Sequence, residues 1–240
     1  MVFGKLKVLK RKIMNNNSLS SRCNLHFFGP QGSGKGTQTE ILAAKVNFKI
    51  ISAGKLFRIR SQQKDEFATH LKNILDEGLL VPLGIFERVL EDAVIQEKTA
   101  KGFIFDGAMR NLEQLKILST IWPKLNLDNP WIIFLQLTDD EAIKRIGNRL
   151  TCNYCGFITS INFHDQIPPI CSKCKVGHFI KRSDDTPEAV KERLQIFHQE
   201  TEVVINYYKK LNRVIEIDGS VSVNKVKESI EKALITYKII

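Results

Sequence analysis

The segment at residues 29–37, which reads Gly-Pro-Gln-Gly-Ser-Gly-Lys-Gly-Thr, constrains the fold of this chain more than any other feature. It lies between a short apolar run and a stretch with helical spacing. Glycines allow successive backbone N–H groups to point towards an anion above a helix N-terminus, and Lys35 adds a positive charge. A strand, this loop and a helix therefore predict a phosphate-binding loop. The strict motif has Ser or Thr directly after the lysine, whereas here Gly36 stands in that place and Thr37 follows.

Short apolar runs alternate with helical patterns along the rest of the chain. The runs are bounded by turn residues and cover residues 24–28, 49–51, 102–106, 131–137 and 214–217. This alternation predicts an α/β fold, a three-layer arrangement with a five-stranded parallel sheet and helices on both faces. Together with the phosphate-binding loop, it indicates a fold of the P-loop NTPase type. In such folds ligands bind at the carboxyl ends of the strands, which is where Gly29, Asp106 and Asp218 lie.

Four of the five cysteines form two Cys-x2-Cys pairs separated by fifteen residues: Cys152, Cys155, Cys171 and Cys174. This spacing predicts four thiolates around a structural Zn²⁺ with no open coordination position. The alternatives are two disulfides, which need an oxidising compartment, and a redox pair, which usually stands alone at a helix start. The pairs interrupt the alternation of strands and helices, so they belong to an insertion. The fifth cysteine, Cys23, is predicted to be a small core residue.

Positive charge is concentrated at the N-terminus. The formal net charge is +10, and residues 1–22 hold six basic residues and no acid. We predict that residues 1–22 are a disordered basic extension and that residues 23–240 form the domain; an organelle-targeting segment is the alternative. A content of 43% hydrophobic residues and the lack of an apolar run of 18 residues predict a soluble globular protein. A monomer in the cytoplasm is expected.

Four further motifs follow the loop in order. They are Ser52-Ala-Gly-Lys-Leu-Phe-Arg58, Asp106-Gly-Ala-Met-Arg110 with Gln114, Arg145-Ile-Gly-Asn-Arg149, and Arg182-Ser-Asp-Asp185 with Arg193. With the glycine loop, they make the chain resemble the adenylate kinase family of nucleoside monophosphate kinases from residue 24 to about residue 237. The resemblance implies the reaction ATP + AMP = 2 ADP. It also implies a segment that binds the nucleoside monophosphate (NMP) at residues 52–81, and a lid insertion at residues 148–185 that carries the zinc.

The resemblance also implies the roles of individual residues. The catalytic residues would be Lys35, Arg110, Arg149, Arg182 and Arg193. ATP would bind to Gly32, Ser33, Gly34, Lys35, Gly36, Thr37, Arg145 and Arg149. The NMP would bind to Ala53, Arg58, Leu79, Val81, Gly107, Arg110, Gln114, Arg182 and Arg193. Asp106 would orient Mg²⁺ through water. Arginine suits such a site because its planar guanidinium binds phosphate at two points.

The departures from the family pattern lie on the acceptor side. Ala53 replaces a threonine, Lys55 replaces an acidic residue, and Ala108-Met109 replaces Phe-Pro. These changes leave two alternatives open: the same chemistry on CMP, UMP or another NMP, and a catalytically weak nucleotide-binding protein. A zinc-ribbon protein that binds nucleic acid is a third alternative, suggested by the charge and the cysteines. It leaves the loop and the arginines without a use, so we expect ATP and an NMP as partners rather than nucleic acid or a membrane.

Overall fold

The computed structural model describes residues 22–240 except residues 78, 80, 98 and 162–166. The predicted basic extension lies outside the described residues apart from its last member, Arg22. That residue is held by the domain: its Nη2 atom donates to the carbonyl oxygen of Leu125 at 2.6 Å, and its guanidinium lies 4.9 Å from the ring centre of Phe103.

A five-stranded parallel sheet forms the centre of the molecule, which confirms the predicted fold class. Its strands are β1 (Cys23–Phe28), β2 (Lys49–Ser52), β3 (Gly102–Asp106), β4 (Trp131–Gln136) and β8 (Val214–Asp218), arranged in the order β2-β3-β1-β4-β8. β1 and β3 are buried on both faces, and most of their residues are apolar; Asn24 and His26 of β1 are buried polar residues.

Helices cover both faces of this sheet. They are α1 (Lys35–Val46), α2 (Ala53–Ser61), α3 (Glu66–Asp76), α4 (Leu83–Gln96), α5 (Leu112–Lys124), α6 (Asp139–Gly147), α7 (Pro187–Ile196), α8 (Glu202–Lys209) and α9 (Val223–Thr236). A π-helix, Phe197–Thr201, joins α7 to α8. None of the helices in the described part of the chain has the length and apolar character needed to cross a bilayer.

Alternate residues of the strands feed two cores. On one face, Leu25 and Phe27 pack with residues of α1 and α9. On the other face, Phe28 and Phe105 pack with residues of α4, α5 and α8. The period of two along each strand separates these sets, as expected for a pleated strand.

The register of the sheet brings several polar residues to one edge. Ser52 of β2 and Phe27 of β1 both lie beside Asp106, the last residue of β3. At the same edge Gln136 of β4 lies beside Asp218 of β8. The glycine loop begins directly after β1, so it opens at this edge.

A second, smaller sheet lies within the insertion predicted at residues 148–185. It is antiparallel and contains β5 (Arg149–Cys152), β6 (Ile158–Ser160) and β7 (Phe179–Ile180) in the order β6-β5-β7. The chain leaves the main domain after α6 and returns at α7, where Thr186 caps the helix by accepting a hydrogen bond from the N–H of Ala189 at 3.2 Å.

Candidate active site

The glycine loop packs tightly against β4 and exposes a helix start without a side-chain cap. Gly29, Gly32 and Gly34 all have positive φ. A Cβ atom on Gly29 would lie 2.5 Å from the carbonyl oxygen of Leu135, so a larger residue does not fit there. Gly34 is the N-cap of α1 and offers no side chain to its N–H groups. The unpaired N–H groups and the helix dipole therefore form an anion site.

Lys35 lies back over this loop. Its Nζ atom donates hydrogen bonds to the carbonyl oxygens of Gly29 and of the next residue, at 2.7 and 2.9 Å. Loss of hydration lowers the pKa of Lys35 to about 8; Asp106 opposes this shift, whereas Arg110 and Arg149 add to it. The charges of three other predicted site residues therefore act directly on Lys35.

Asp106 lies between the loop and β2. Its Oδ2 atom accepts a hydrogen bond from the hydroxyl of Ser52 at 3.3 Å. A Cβ atom on Gly36 would lie 3.9 Å from the same oxygen, so the carboxylate is close to the first turn of α1. This position fits a carboxylate that contacts Mg²⁺ through water beside bound phosphates.

Two consecutive aspartates hold three of the predicted arginines. Asp184 accepts from Arg182 at 2.9 and 2.8 Å and from Nη2 of Arg193 at 2.8 Å. Asp185 forms a two-point ion pair with Arg149. Although burial alone would raise it, the charges of Arg182 and Arg193 lower the pKa of Asp184 to about 2. Asp184 is therefore ionised at neutral pH and fixes both guanidiniums in place.

Arg58 and Arg110 complete the group. Loss of hydration and the neighbouring charges of Arg182 and Arg149 lower the pKa of Arg58 to about 10. Burial lowers the pKa of Arg110, and Arg193 adds to that shift. Electrostatic interactions therefore link these side chains into one set. We call this set the cationic cluster: Lys35, Arg58, Arg110, Arg149, Arg182 and Arg193.

The cationic cluster holds more positive charge than its carboxylates can balance. Its six cations interact with three carboxylates, those of Asp106, Asp184 and Asp185, which leaves a surplus of three positive charges. Neighbouring cations repel each other, so the arrangement favours a polyanion. A row of nucleotide phosphates is such a polyanion.

The loop that carries Arg110 is fixed by hydrogen bonds. The Nε atom of Arg110 donates to the carbonyl oxygen of Gly107 at 3.2 Å. The backbone N–H of Arg110 donates to Oε1 of Gln114 at 2.6 Å. Gln114 was predicted to bind the acceptor base. Since its carbonyl oxygen is occupied, its Nε2 group is the part left to donate to a ligand.

Four other predicted site residues are not members of the cationic cluster: Arg145, Ala53, Leu79 and Val81. Arg145 donates to the carbonyl oxygens of Gly219 and Ser220 at 2.8 and 3.0 Å, so it contacts the loop that follows β8. Ala53 and Val81 are buried, whereas Leu79 is 44% exposed.

The four paired cysteines meet in the insertion at residues 148–185, which was predicted to form a lid and which we call the lid. Their Sγ atoms all lie within 4.8 Å of one another. Cys152 and Cys174 are 3.7 Å apart, and Cys155 and Cys171 are 3.8 Å apart. Tetrahedral Zn–S bonds of about 2.3 Å place sulfur atoms roughly 3.8 Å apart, so the cluster has the size that a metal requires. All four are free thiols, which is inconsistent with the disulfide alternative.

The lid touches the main domain at both sides of the site. Lys173, between the second pair of cysteines, forms an ion pair with Glu40 of α1 at 2.8 Å. The hydroxyl of Ser183 donates to Asp76 at the end of α3 at 3.1 Å. The lid therefore contacts both the helix after the glycine loop and the segment predicted to bind the NMP.

Comparison with known proteins assigns the chain to a family. The family model described as adenylate kinase matches residues 27–213, which include the loop, the cationic cluster and the four cysteines. The adenylate kinase of Thermosipho africanus is 35% identical over 205 residues, which is 85% of this chain and 95% of the relative. That of Fusobacterium nucleatum is 36% identical over 211 residues, 88% of this chain and 98% of the relative. That of Methanothrix thermoacetophila is 32% identical over 216 residues, 90% of this chain and all of the relative.

The chain belongs to the adenylate kinase family. It is thus a nucleoside monophosphate kinase, a class of phosphotransferase. The five-stranded parallel sheet with helices on both faces agrees with the fold of adenylate kinases.

The residues that depart from the adenylate kinase pattern differ in their burial. Ala53, Ala108 and Met109 are all buried, and Met109 has a φ of 61°. Lys55 is exposed on α2. Three of the four changes are therefore accommodated by packing, and the fourth adds a charge at the surface.

Several residues of the site were not predicted from the sequence. Ser52 is part of a sequence motif without a predicted role, and its hydrogen bond to Asp106 depends on the pairing of β2 with β3. Gln31 donates to Asp185 at 3.2 Å, which links the glycine loop to the lid. Thr201, which contacts Arg110, lies at the end of the π-helix. The Asp184-Asp185 pair was visible in the sequence, but its role in holding arginines was not.

Proposed function

We propose that this protein transfers the γ-phosphoryl group of ATP to AMP and so forms two molecules of ADP. The observation that carries the proposal is the cationic cluster, gathered beside a phosphate-binding loop in a chain of the adenylate kinase family. Phosphoryl transfer depends mainly on in-line positioning of the reactants and on stabilising the charge of the transferring group. The cluster offers both.

In this proposal the glycine loop binds the phosphates of ATP. The N–H groups at the start of α1 donate hydrogen bonds to the phosphate oxygens, and the ammonium group of Lys35 moves from the loop carbonyls to the same oxygens. Asp106 and Thr37 would hold Mg²⁺, with Asp106 acting through water; the bound ion neutralises charge on the phosphate oxygens. Arg145, beside the loop after β8, contacts the ATP side.

The acceptor binds on the opposite side of the cleft. Arg58 and Arg110 hold its phosphate, and Nε2 of Gln114 donates to its base. Ala53, Leu79, Val81 and Gly107 complete the binding segment that we assign to residues 52–81 and the loop after β3. Two-point binding by guanidinium fixes the direction of the acceptor oxygen as well as its position.

The lid supplies the remaining arginines at residues 148–185 and just beyond. Arg149, Arg182 and Arg193 are already held by Asp184 and Asp185, so little reorganisation is needed when the phosphates arrive. Contacts to α1 and α3 hold the lid against both sides of the cleft. Closure of an active site limits the access of water, which would otherwise hydrolyse ATP.

We also propose that the four cysteines bind Zn²⁺ and that the metal is structural. The sulfur separations fit tetrahedral coordination, and four thiolates leave no open position for substrate. The short lid strands would depend on this crosslink. Retained thiols favour a reducing compartment such as the cytoplasm. Because one chain supplies the whole cluster, a monomer is sufficient.

A panel of acceptors tests the proposed function. ADP formation is measured with ATP, Mg²⁺ and AMP, CMP, UMP or GMP, using the chain with and without residues 1–21, so that Arg22 keeps its contacts with the domain. We expect turnover with AMP, and we expect Lys35→Met to abolish it. Lys45→Met is the matched control, since Lys45 lies on the same helix in a surface ion pair with Glu231. Turnover with CMP and none with AMP would contradict the proposal.

A further inference from the structure

The helix that follows the lid carries an unusual turn beside the site. Residues Phe197–Thr201 form a π-helix between α7 and α8. Such turns are rare and often occur at functional sites, because they redirect side chains that a regular helix would place elsewhere. Thr201 is the last residue of this turn, and its side chain is 5% exposed.

Thr201 is hydrogen-bonded to the loop that presents Arg110. Its Oγ1 atom donates to the carbonyl oxygen of Arg110 at 2.9 Å. The backbone N–H of Arg110 donates to Oε1 of Gln114, on α5, at 2.6 Å. Side chains from two separate helices therefore hold Arg110 at its backbone N–H and at its backbone C=O.

The loop needs such external support because its own backbone is irregular. Gly107 and Met109 both have positive φ, at 71° and 61°. Positive φ is uncommon for a residue with a side chain, and it persists only where the surroundings enforce it. Tyr208, two helical turns beyond Thr201, adds a contact from its hydroxyl to Sδ of Met109 at 3.7 Å.

These bonds leave the terminal nitrogens of the Arg110 guanidinium available to bind phosphate. Its Nε atom bonds to Gly107, while its two terminal nitrogens have no hydrogen-bond partner among the described residues. The side chain is thus aimed by its backbone and by one internal bond. A shift of the backbone would move the guanidinium with it.

We propose that Thr201 is a positioning residue for Arg110, and that the π-helix exists in this chain to bring the Thr201 hydroxyl to the Arg110 carbonyl. This inference rests on the proposed function, in which Arg110 holds the phosphate of the acceptor. It assigns to Thr201 an effect on the acceptor and not on ATP.

The test compares Thr201→Val with Thr201→Ser. Valine keeps the shape of threonine but cannot donate a hydrogen bond, whereas serine keeps the hydroxyl. We expect Thr201→Val to lower kcat/KM for AMP about tenfold, because small displacements of a positioning group are costly in rate. The KM for ATP should change less than about twofold, and Thr201→Ser should restore most of the loss.

Thr120→Val is the control, because the Thr120 hydroxyl donates to the carbonyl oxygen of Ile117 within its own helix. It should leave kcat and the KM values for AMP and ATP unchanged. The inference would be overturned if Thr201→Val kept the wild-type kcat/KM for AMP, or if it changed the KM for ATP as much as the KM for AMP. It would also be overturned if Thr201→Ser were as impaired as Thr201→Val. If Thr201→Val does not fold, the same comparison is made between Thr201→Ala and Thr201→Ser. Failure of the wild-type chain to phosphorylate AMP would instead contradict the proposed function, and calorimetric titration of AMP would then test the positioning of Arg110 directly.

Discussion

Arg149 and Asp185 form a two-point ion pair that joins the beginning of the lid to its end, with Nε of the arginine 2.8 Å from Oδ2 of the aspartate. Their side chains are only 12% and 5% exposed. Removing one member of such a pair leaves the other charge poorly compensated.

We therefore expect Asp185→Asn to lower the free energy of unfolding by about 3 kcal/mol. Urea denaturation measures this change. Glu40→Gln is the matched control: it breaks the lid contact with Lys173, but both members of that pair are about half exposed. Exposed pairs contribute less than about 1 kcal/mol. Equal losses in the two variants would show that burial does not govern these ion pairs.

ATP affinity should depend on the protonation of Lys35. Its pKa of about 8 is lowered by loss of hydration, so the free protein begins to lose the ammonium charge near that pH. Bound phosphates favour the charged form and raise the pKa. Affinity for ATP should therefore fall as pH rises through 8, approaching about tenfold per pH unit.

Calorimetric titration with ATP between pH 7 and pH 9.5 checks this dependence. Lys35→Met should bind weakly at every pH and show no such slope, whereas Lys45→Met should keep the slope of the wild type. A wild-type affinity that stays constant up to pH 9.5 would mean that Lys35 remains fully charged in the free protein.

His26 is a buried imidazole that weakens the fold in acid. It is fully buried in β1, stacks on Phe105 at 4.6 Å, and has no hydrogen-bond partner for either nitrogen among the described residues. Burial lowers its pKa to about 3. Below pH 6.5 the unfolded chain gains a proton that the folded chain cannot accept, so stability is lost as pH falls.

Replacing His26 with phenylalanine should remove this loss. We expect the stability difference between His26→Phe and the wild type to grow by about 2 kcal/mol between pH 7 and pH 5, in favour of the variant. Urea denaturation at the two pH values measures it. His198→Gln should behave oppositely, since hydrogen bonds to Glu202 and Asp139 raise the pKa of His198 and its contribution is lost as pH rises. A pH-independent difference for His26→Phe would contradict this account.

Metal removal should loosen the lid without altering the chemistry. We expect chelation, or Cys152→Ser, to lower Tm and zinc content while activity at a permissive temperature is kept, because the closed thiolate site touches no substrate. Metal analysis and thermal denaturation measure the two effects. Cys23→Ser, outside the cluster, should keep the zinc. An unchanged Tm after complete metal removal would refute the structural role.

The main sheet could be predicted from the sequence because each of its strands is a short apolar run bounded by turn residues. The glycine loop and the paired cysteines could be predicted because their chemistry requires fixed spacings. The lid strands could not: β6 has three residues and β7 has two, too few for a periodic pattern. Their pairing depends on the cysteine cluster, which brings distant residues together.

The relations between side chains in the site were also beyond the sequence. The motifs supplied the arginines, but the bonds from Asp184 to Arg182 and Arg193 depend on how the lid returns to α7. The hydrogen bond of Thr201 depends on the π-helix at Phe197–Thr201, which the amino-acid sequence of that segment does not reveal. His26 occupies a position where the strand pattern predicts an apolar residue, and its lack of partners is visible only in the folded chain.

The close contact between Gly29 and Leu135 fixes the height of the glycine loop above the sheet. Because there is no room for even one extra carbon atom between the loop and β4, any substitution of Gly29 would lift the loop from the strand. Every backbone amide that faces the anion site would then be displaced together, although only one residue had been replaced.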